Sequence, residues 1–132
     1  MPYLTHKFGR TYYTKRGRNT SIPIIYLHGG PGGSHQPDSP VFQLAEKRQV
    51  YAYTQIGSGK SSSTAKKFWN IRTFVQELDL LIRGWGLDQF HLMGSSWGTT
   101  LALEYYLRKG RNGVASLIFQ SPLFNAMEWR KD

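Results

Sequence analysis

Cysteine is absent from this 132-residue chain, so the sequence excludes a disulfide framework, a thiolate nucleophile and thiolate metal ligands. Long apolar runs are missing too. The N-terminal MPYLTHKFGR has no signal-peptide core, and no stretch approaches a membrane span in length. We therefore expect a cytoplasmic protein with no membrane partner. The histidines lack companions at metal-ligand spacing, so we predict no metal and no cofactor.

Acidic residues are scarce, since 8 Asp and Glu face 17 Lys and Arg and leave a formal net charge of +9. This balance opens the alternative of a polyanion partner such as nucleic acid. The basic residues, however, are spread over turns and the ends of predicted elements. We interpret them as a solvated surface and expect no nucleic-acid partner.

Strand-like and helix-like segments alternate along the chain, of which 39% is hydrophobic. Strands are predicted over residues 7–15, 22–27, 50–55, 90–93 and 114–119. Helices are predicted over 41–47, 71–85 and 99–107, the second with a capping box of Thr73 and Gln76. This order predicts an α/β fold with a mostly parallel sheet and helices on both faces.

The most informative stretch is Gly94-Ser95-Ser96-Trp97-Gly98, which joins an apolar strand to a helix. In a Gly-x-Ser-x-Gly turn, small outer residues avoid collisions with the neighbouring strand and helix and leave the central hydroxyl exposed. Ser96 is therefore a candidate nucleophile, and the N–H of Trp97 at the helix start is a candidate oxyanion donor. The alternative is a Gly/Ser-rich strand-to-helix turn without chemical importance.

A second loop follows the strand over residues 22–27 and reads His28-Gly29-Gly30-Pro31-Gly32-Gly33. Its glycines allow the backbone a close approach, and Pro31 stiffens it. We predict that His28, Gly29, Pro31 and Gly32 support the loop, with His28 as a tether. Ligands of such sheets bind beyond the carboxyl ends of the strands. If the two strands are neighbours, the N–H of Gly30 completes the oxyanion hole.

A competing motif is Gly57-Ser58-Gly59-Lys60-Ser61, which ends like a phosphate-binding loop. The first glycine of that pattern should fall where the chain has Thr54, and residues 62–67 lack the periodicity of the required helix. A nucleotide-binding or polyanion-binding module therefore stays a less favoured alternative.

Three stretches together resemble one family. They are LHGGPGG at 27–33, YTQIGSGKS at 53–61 and GLDQFHLMGSSWGTTLALEY at 86–105. Their joint occurrence is similar to the proline iminopeptidase (prolyl aminopeptidase) branch of the α/β-hydrolases, and the resemblance spans nearly the whole chain. It implies a serine hydrolase that releases N-terminal proline from peptides, or cleaves related small amides and esters. It also implies that Ser96 is the nucleophile and that Trp97 and Gly30 form the oxyanion hole.

The chain departs from the family in two ways. Thr54 stands where the family has Asp, so any contact of that carboxylate is lost or changed. The acid and the histidine of the triad follow the serine in this family, yet no histidine follows Ser96. We therefore expect residues 1–132 to be the N-terminal part of one α/β-hydrolase domain, inactive by itself, with an apolar last strand covered by self-association or a complementary C-terminal half. A non-catalytic binding protein of the same fold is the alternative.

Overall fold

The computed structural model describes residues 3–30, 33–65, 67, 69–110 and 113–121. Its strands are β1 (Tyr3–His6), β2 (Gly9–Arg16), β3 (Ile24–Leu27), β4 (Val50–Tyr53), β5 (Phe90–Ser95) and β6 (Val114–Gln120). The helices are α1 (Ile71–Gly84), α2 (Trp97–Arg108) and a 3-10 helix at Pro40–Glu46. None of the helices in these ranges is long and apolar enough to cross a membrane.

The six strands form one sheet in the order β1-β2-β4-β3-β5-β6. β4, β3, β5 and β6 run parallel to one another, whereas β1 pairs with β2, and β2 with β4, in antiparallel fashion. The predicted α/β class with a mostly parallel sheet is confirmed. β3 lies between β4 and β5, so the winding direction of the chain reverses there, and a crevice forms beyond the carboxyl ends of these strands.

The strand predicted over residues 7–15 is confirmed as β2, but a second strand, β1, precedes it and pairs with it as a hairpin that the sequence reasoning missed. The turn places Gly9 at φ +129°, a backbone region that glycine enters without strain. The N–H of Phe8 donates to Nδ1 of His6 at 3.2 Å, which closes the turn. A side chain supplies this bond, so common turn dipeptides such as Asn-Gly do not mark the hairpin in the sequence.

The apolar face of α1 agrees with the predicted periodicity, but the predicted capping box does not form. Asn70 is the N-cap, and its side-chain oxygen accepts the N–H of Thr73 at 2.9 Å. Thr73 therefore lies inside the first turn, where its N–H needs a partner outside the helix. The N-cap therefore lies three residues earlier than the N-cap predicted at Thr73.

The two faces of the sheet are covered unequally. Side chains on the face toward α1 and α2, called the covered face, form the hydrophobic core; the strand residues among them include Ile25, Leu27, Tyr53, Phe90 and Leu92. Side chains on the opposite side of β3, β5 and β6 form the open face, which consists of Ile24, Tyr26, His91, Met93, Ser116 and Ile118. In the described ranges only the 3-10 helix and its flanks lie over the open face.

Candidate active site

Ser96 stands alone between β5 and α2, since β5 ends at Ser95 and α2 begins at Trp97. Its backbone has φ 53° and ψ −116°, a conformation that non-glycine residues rarely adopt. Such strain persists only when the surrounding structure imposes it, and it is common at functional sites. The side chain of Ser96 makes no capping hydrogen bond to the helix behind it. The geometry is that of a serine presented at a sharp strand-to-helix turn.

The glycines on either side of Ser96 are required by close packing. A Cβ added to Gly94 would collide with the backbone of Gly98 and Thr99, and one added to Gly98 would collide with the carbonyl oxygen of Leu27. The steric reason predicted for the motif is thus confirmed: the turn folds back on its own helix, and the helix starts directly against the end of β3.

The glycine-rich loop after β3 lies beside Ser96. Leu27 is in register with Gly94, so the two loops leave neighbouring parallel strands. A Cβ built on Gly29 would lie 3.6 Å from the Cβ of Ser96, and Gly30 has φ +134°, which glycine adopts freely. Pro31 and Gly32, predicted as supporting residues, lie outside the described residues.

Buried hydrogen bonds through Gln55 link this loop to the start of α2. Nε2 of His28 accepts the backbone N–H of Gln55 at 3.0 Å, while Nδ1 lies 2.5 Å from the carbonyl oxygen of Gly29. The amide of Gln55 also donates to the carbonyl of His28 at 3.5 Å and accepts the indole N–H of Trp97 at 3.2 Å. Burial lowers the pKa of His28, although the bond to Gly29 opposes the shift. His28 is therefore neutral near pH 7, and it links the loop to the backbone of Gln55.

Thr54, which stands where the resemblance implies an aspartate, contacts His35. Its hydroxyl accepts the backbone N–H of His35 at 3.2 Å and lies 2.8 Å from Nδ1 of the same ring. The other ring nitrogen of His35 lies 2.9 Å from the hydroxyl of Thr14. Burial, and then the charges of His28 and Lys60, lower the pKa of His35 to about 4. The threonine thus pairs with a neutral imidazole.

No histidine of the chain approaches Ser96 as a base. All four lie in the described ranges, and each ring has other partners, which are Thr11 for His6, Gln55 and Gly29 for His28, Thr54 and Thr14 for His35, and Ser116 for His91. A serine hydroxyl without a base is a poor nucleophile near neutral pH. The described residues therefore hold the strained turn at Ser96 and a loop beside it, and none of their histidines is bonded to Ser96.

Glu77 is a buried ionisable residue that the sequence reasoning missed. Its carboxylate accepts the N–H of Ile56 at 3.0 Å and the hydroxyl of Thr11 at 2.5 Å. Burial raises the pKa of Glu77 to about 7, against the effect of these two bonds. His6 lies 3.9 Å away, but burial lowers its pKa, so the two do not form an ion pair at neutral pH. The sequence did contain a signal for this residue, because Glu77 falls among the apolar positions of the predicted helix.

The phosphate-loop alternative finds little support in the loop after β4. The Ser61 hydroxyl donates to the carbonyl of Thr54 at 2.5 Å and accepts the N–H of Tyr12 at 2.9 Å, which ties the loop to β2. No helix follows directly in the described part of this segment, and α1 begins only at Ile71. The helix N-terminus that would hold a phosphate is therefore not behind Lys60.

Comparisons with known proteins agree with this geometry. The family described as alpha/beta hydrolase fold matches residues 22–132, and the chain belongs to that family. Within it, the chain is 38% identical to proline iminopeptidase of Clostridium botulinum over its whole length, and 41% identical to that of Heyndrickxia coagulans over 94% of its length. It spans only 45% and 43% of these relatives. The proline iminopeptidase structure from Mycobacterium smegmatis superimposes on 87% of the chain with a TM-score of 0.77 and 32% identity, and 42% of that structure is covered.

Proposed function

We propose that this chain carries the nucleophile and the oxyanion-hole donors of a serine hydrolase of the proline iminopeptidase type. The observation that supports this most is the strained backbone of Ser96 with Gly29 packed beside it. The curated relatives named above are proline iminopeptidases, which suggests peptides with an N-terminal proline, or related small amides and esters, as substrates.

In the proposed reaction, Ser96 Oγ attacks the carbonyl carbon of the substrate while its proton passes to a base. The backbone N–H groups of Trp97 and Gly30 donate to the oxyanion, and Trp97 is suited to this because the first N–H of a helix has no partner within it. The base returns the proton to the leaving amine, and water then hydrolyses the acyl-enzyme. The base must come from the part of the relatives that this chain does not span.

The four engaged histidines favour a second candidate, a binding protein that kept the fold without catalysis. A single-chain fusion separates the two. Residues 1–132 are joined to the part of the Clostridium botulinum relative that they do not match, and hydrolysis of prolyl p-nitroanilide is measured. We expect turnover that falls at least about a thousandfold in Ser96→Ala. Ser63→Ala, at an exposed serine in the loop before α1, is the matched control and should retain it. A folded fusion without Ser96-dependent turnover would favour the binding protein.

Covalent labelling of the 132-residue chain alone tests the absence of a base. A fluorophosphonate probe should leave Ser96 unlabelled in the folded chain and should label it in the fusion, as read by intact mass and peptide mapping. Specific labelling in the isolated chain would mean that a group within residues 1–132, or from another copy, activates the hydroxyl.

A further inference from the structure

A small cavity of about 180 Å³ lies at the carboxyl end of β4, on the same side of the sheet as Ser96. The hydrolysis proposed above gives this cavity no role. It has a buried floor and an exposed rim, and the residues that line it include Tyr12, Ser34, His35, Thr54, Gly59 and Lys60. The loop with the Gly-Lys-Ser sequence, which does not form a phosphate-binding loop, therefore forms one wall of a cavity.

Lys60 brings a positive charge to this cavity without a carboxylate beside it. Its Nζ lies 5.1 Å from the centre of the Tyr12 ring, and Lys60 forms no ion pair within the described ranges. The charge of Lys60 is also one cause of the low pKa of His35, so the ammonium lies near that ring. An ammonium group has three hydrogen-bond donors and no acceptor. The ligand that suits this group is an anion.

The other polar groups of the cavity are neutral. Oγ of Ser34 accepts the side-chain amide of Gln36 at 3.3 Å, which leaves the hydroxyl proton of Ser34 as a donor. The ring of His35 is uncharged at neutral pH, because its pKa is about 4. No acidic residue is among the described residues that line the cavity. An anion would therefore meet donors and one positive charge, without repulsion from a neighbouring carboxylate.

The loop that carries the lysine is held in a defined turn. The N–H of Ser61 donates to the carbonyl of Ser58 at 3.0 Å, and Gly59 within this turn has φ +48°. A Cβ built on Gly59 would lie 3.2 Å from Cγ2 of Thr54 and 3.3 Å from Cβ of Ser34. The glycine thus keeps the space between these two side chains open. A ligand that binds a turn already in place loses less affinity to the ordering of the loop.

The residue at position 54 decides whether the lysine can find its counter-charge within the chain. The resemblance implies an aspartate there, and Thr54 has no charge. The methyl group of Thr54 faces Gly59, the neighbour of Lys60. An aspartate at this position would bring a carboxylate to the same side and would attract the ammonium. This chain therefore has the cation of the cavity without the anion.

We propose that this cavity binds a small oxyanion, a carboxylate or phosphate group, which takes the place of the carboxylate that Thr54 lacks. The anion accepts hydrogen bonds from the ammonium of Lys60 and the hydroxyl of Ser34, above the floor formed by Thr54 and His35. Hydrogen bonds between charged groups are stronger than neutral ones, but a single exposed lysine contributes little by itself. We expect a dissociation constant of about a millimolar. The site does not use Ser96, so it goes beyond the proposed function and does not depend on it.

Titration of the ¹⁵N-labelled 132-residue chain with anions tests the site by NMR. Sodium phosphate and sodium acetate are added in separate experiments at pH 7, with sodium chloride keeping the ionic strength constant. We expect amide shifts at Ser34, Gly59 and Lys60 that saturate at about millimolar concentrations. Saturation with phosphate alone would identify a phosphate group as the ligand, and saturation with acetate alone a carboxylate. Saturation with both would mean that the site accepts either group.

Two lysines in similar surroundings separate a specific site from a general effect of charge. Lys60→Met should weaken binding by about tenfold or more, because the only cation of the cavity is removed. Lys7→Met is the matched control. Nζ of Lys7 also lies 5.1 Å from the centre of an aromatic ring, that of Phe8, and both lysines are exposed, but Lys7 does not line the cavity. Its substitution should leave binding unchanged.

Position 54 gives a second test. Thr54→Asp should abolish saturation, because its carboxylate would pair with Lys60, whereas Thr54→Ser keeps the hydroxyl that contacts His35 and should bind like the unsubstituted chain. The proposal would be overturned by shifts that saturate with neither anion, by equal weakening in the two lysine variants, or by unchanged binding in folded Thr54→Asp. The lysine variants change exposed residues, so their comparison decides the matter even if Thr54→Asp does not fold.

Discussion

The covered and open faces of the sheet are formed by alternate residues of the same strands, yet only one of them is a finished core. On the covered face α1 and α2 bury their apolar sides against the strands, so Leu92 and Leu101 have no exposure. The open face combines apolar residues such as Met93 and Ile118 with the polar pair His91 and Ser116, and cavities lie beside it. The exposure of a strand residue therefore depends on which elements lie over its face of the sheet.

Truncation of adjacent residues of β5 tests the difference between the two faces most directly. Leu92→Ala should lower the free energy of unfolding by about 2–5 kcal/mol, because it leaves a cavity in a closed core. Met93→Ala should lower it by less than about 1 kcal/mol, because Met93 is already half-solvated. Urea denaturation of the 132-residue chain measures both. Equal losses would mean that the open face is covered in solution.

The buried carboxyl of Glu77, on the covered side of the sheet, makes the free energy of unfolding depend on pH. A carboxyl whose pKa is raised on folding from 4.5 to about 7 adds stability that is complete below pH 4.5 and is lost as the pH rises to about 7. Glu77→Gln has no carboxyl to titrate. The free energy of unfolding of this variant, relative to that of the unsubstituted chain, should therefore rise by roughly 3 kcal/mol between pH 4.5 and pH 7.

Denaturation midpoints from pH 4.5 to 8 test this shift. His6 and Tyr53, the ionisable groups facing Glu77, are present in both proteins, so their own titrations largely cancel. Glu104→Gln, which removes a carboxylate paired with Arg108 on the surface of α2, is the matched control for the loss of a carboxylate as such. A constant difference between Glu77→Gln and the parent at all pH values would contradict the raised pKa.

The smallest effect on stability is expected at Gln55, whose side chain links the loop at His28 to the start of α2. Gln55→Ala removes the amide that bonds His28 and Trp97, and should cost about 1 kcal/mol of stability. In the fusion it should lower kcat by about tenfold with little change in KM, because the two N–H groups proposed as oxyanion donors would lose the side chain that links their loops. Gln36→Ala, at an exposed glutamine, is the control. An unchanged kcat would make Gln55 a purely structural residue.

Much of the site was predictable because its restraints are local. The collision of a Cβ at Gly94 with Gly98 involves residues four apart, so a five-residue pattern suffices to identify the turn. The spacing of apolar residues likewise identified α1, because a helix repeats every few positions. The sequence reasoning missed β1 and predicted a capping box that does not form, because both features depend on which side chain accepts a nearby backbone N–H.

The α/β class and the strand-to-helix turn at Ser96 could be predicted from the amino-acid sequence, because each depends on the order and spacing of residues along the chain. Contacts between residues that are distant in the sequence were known only from the tertiary structure. It placed the Gly29 loop beside Ser96, paired Thr54 with His35, buried Glu77, and left one face of the sheet open. These contacts join residues far apart in the chain, and their energies depend on burial and on partners that no local pattern records.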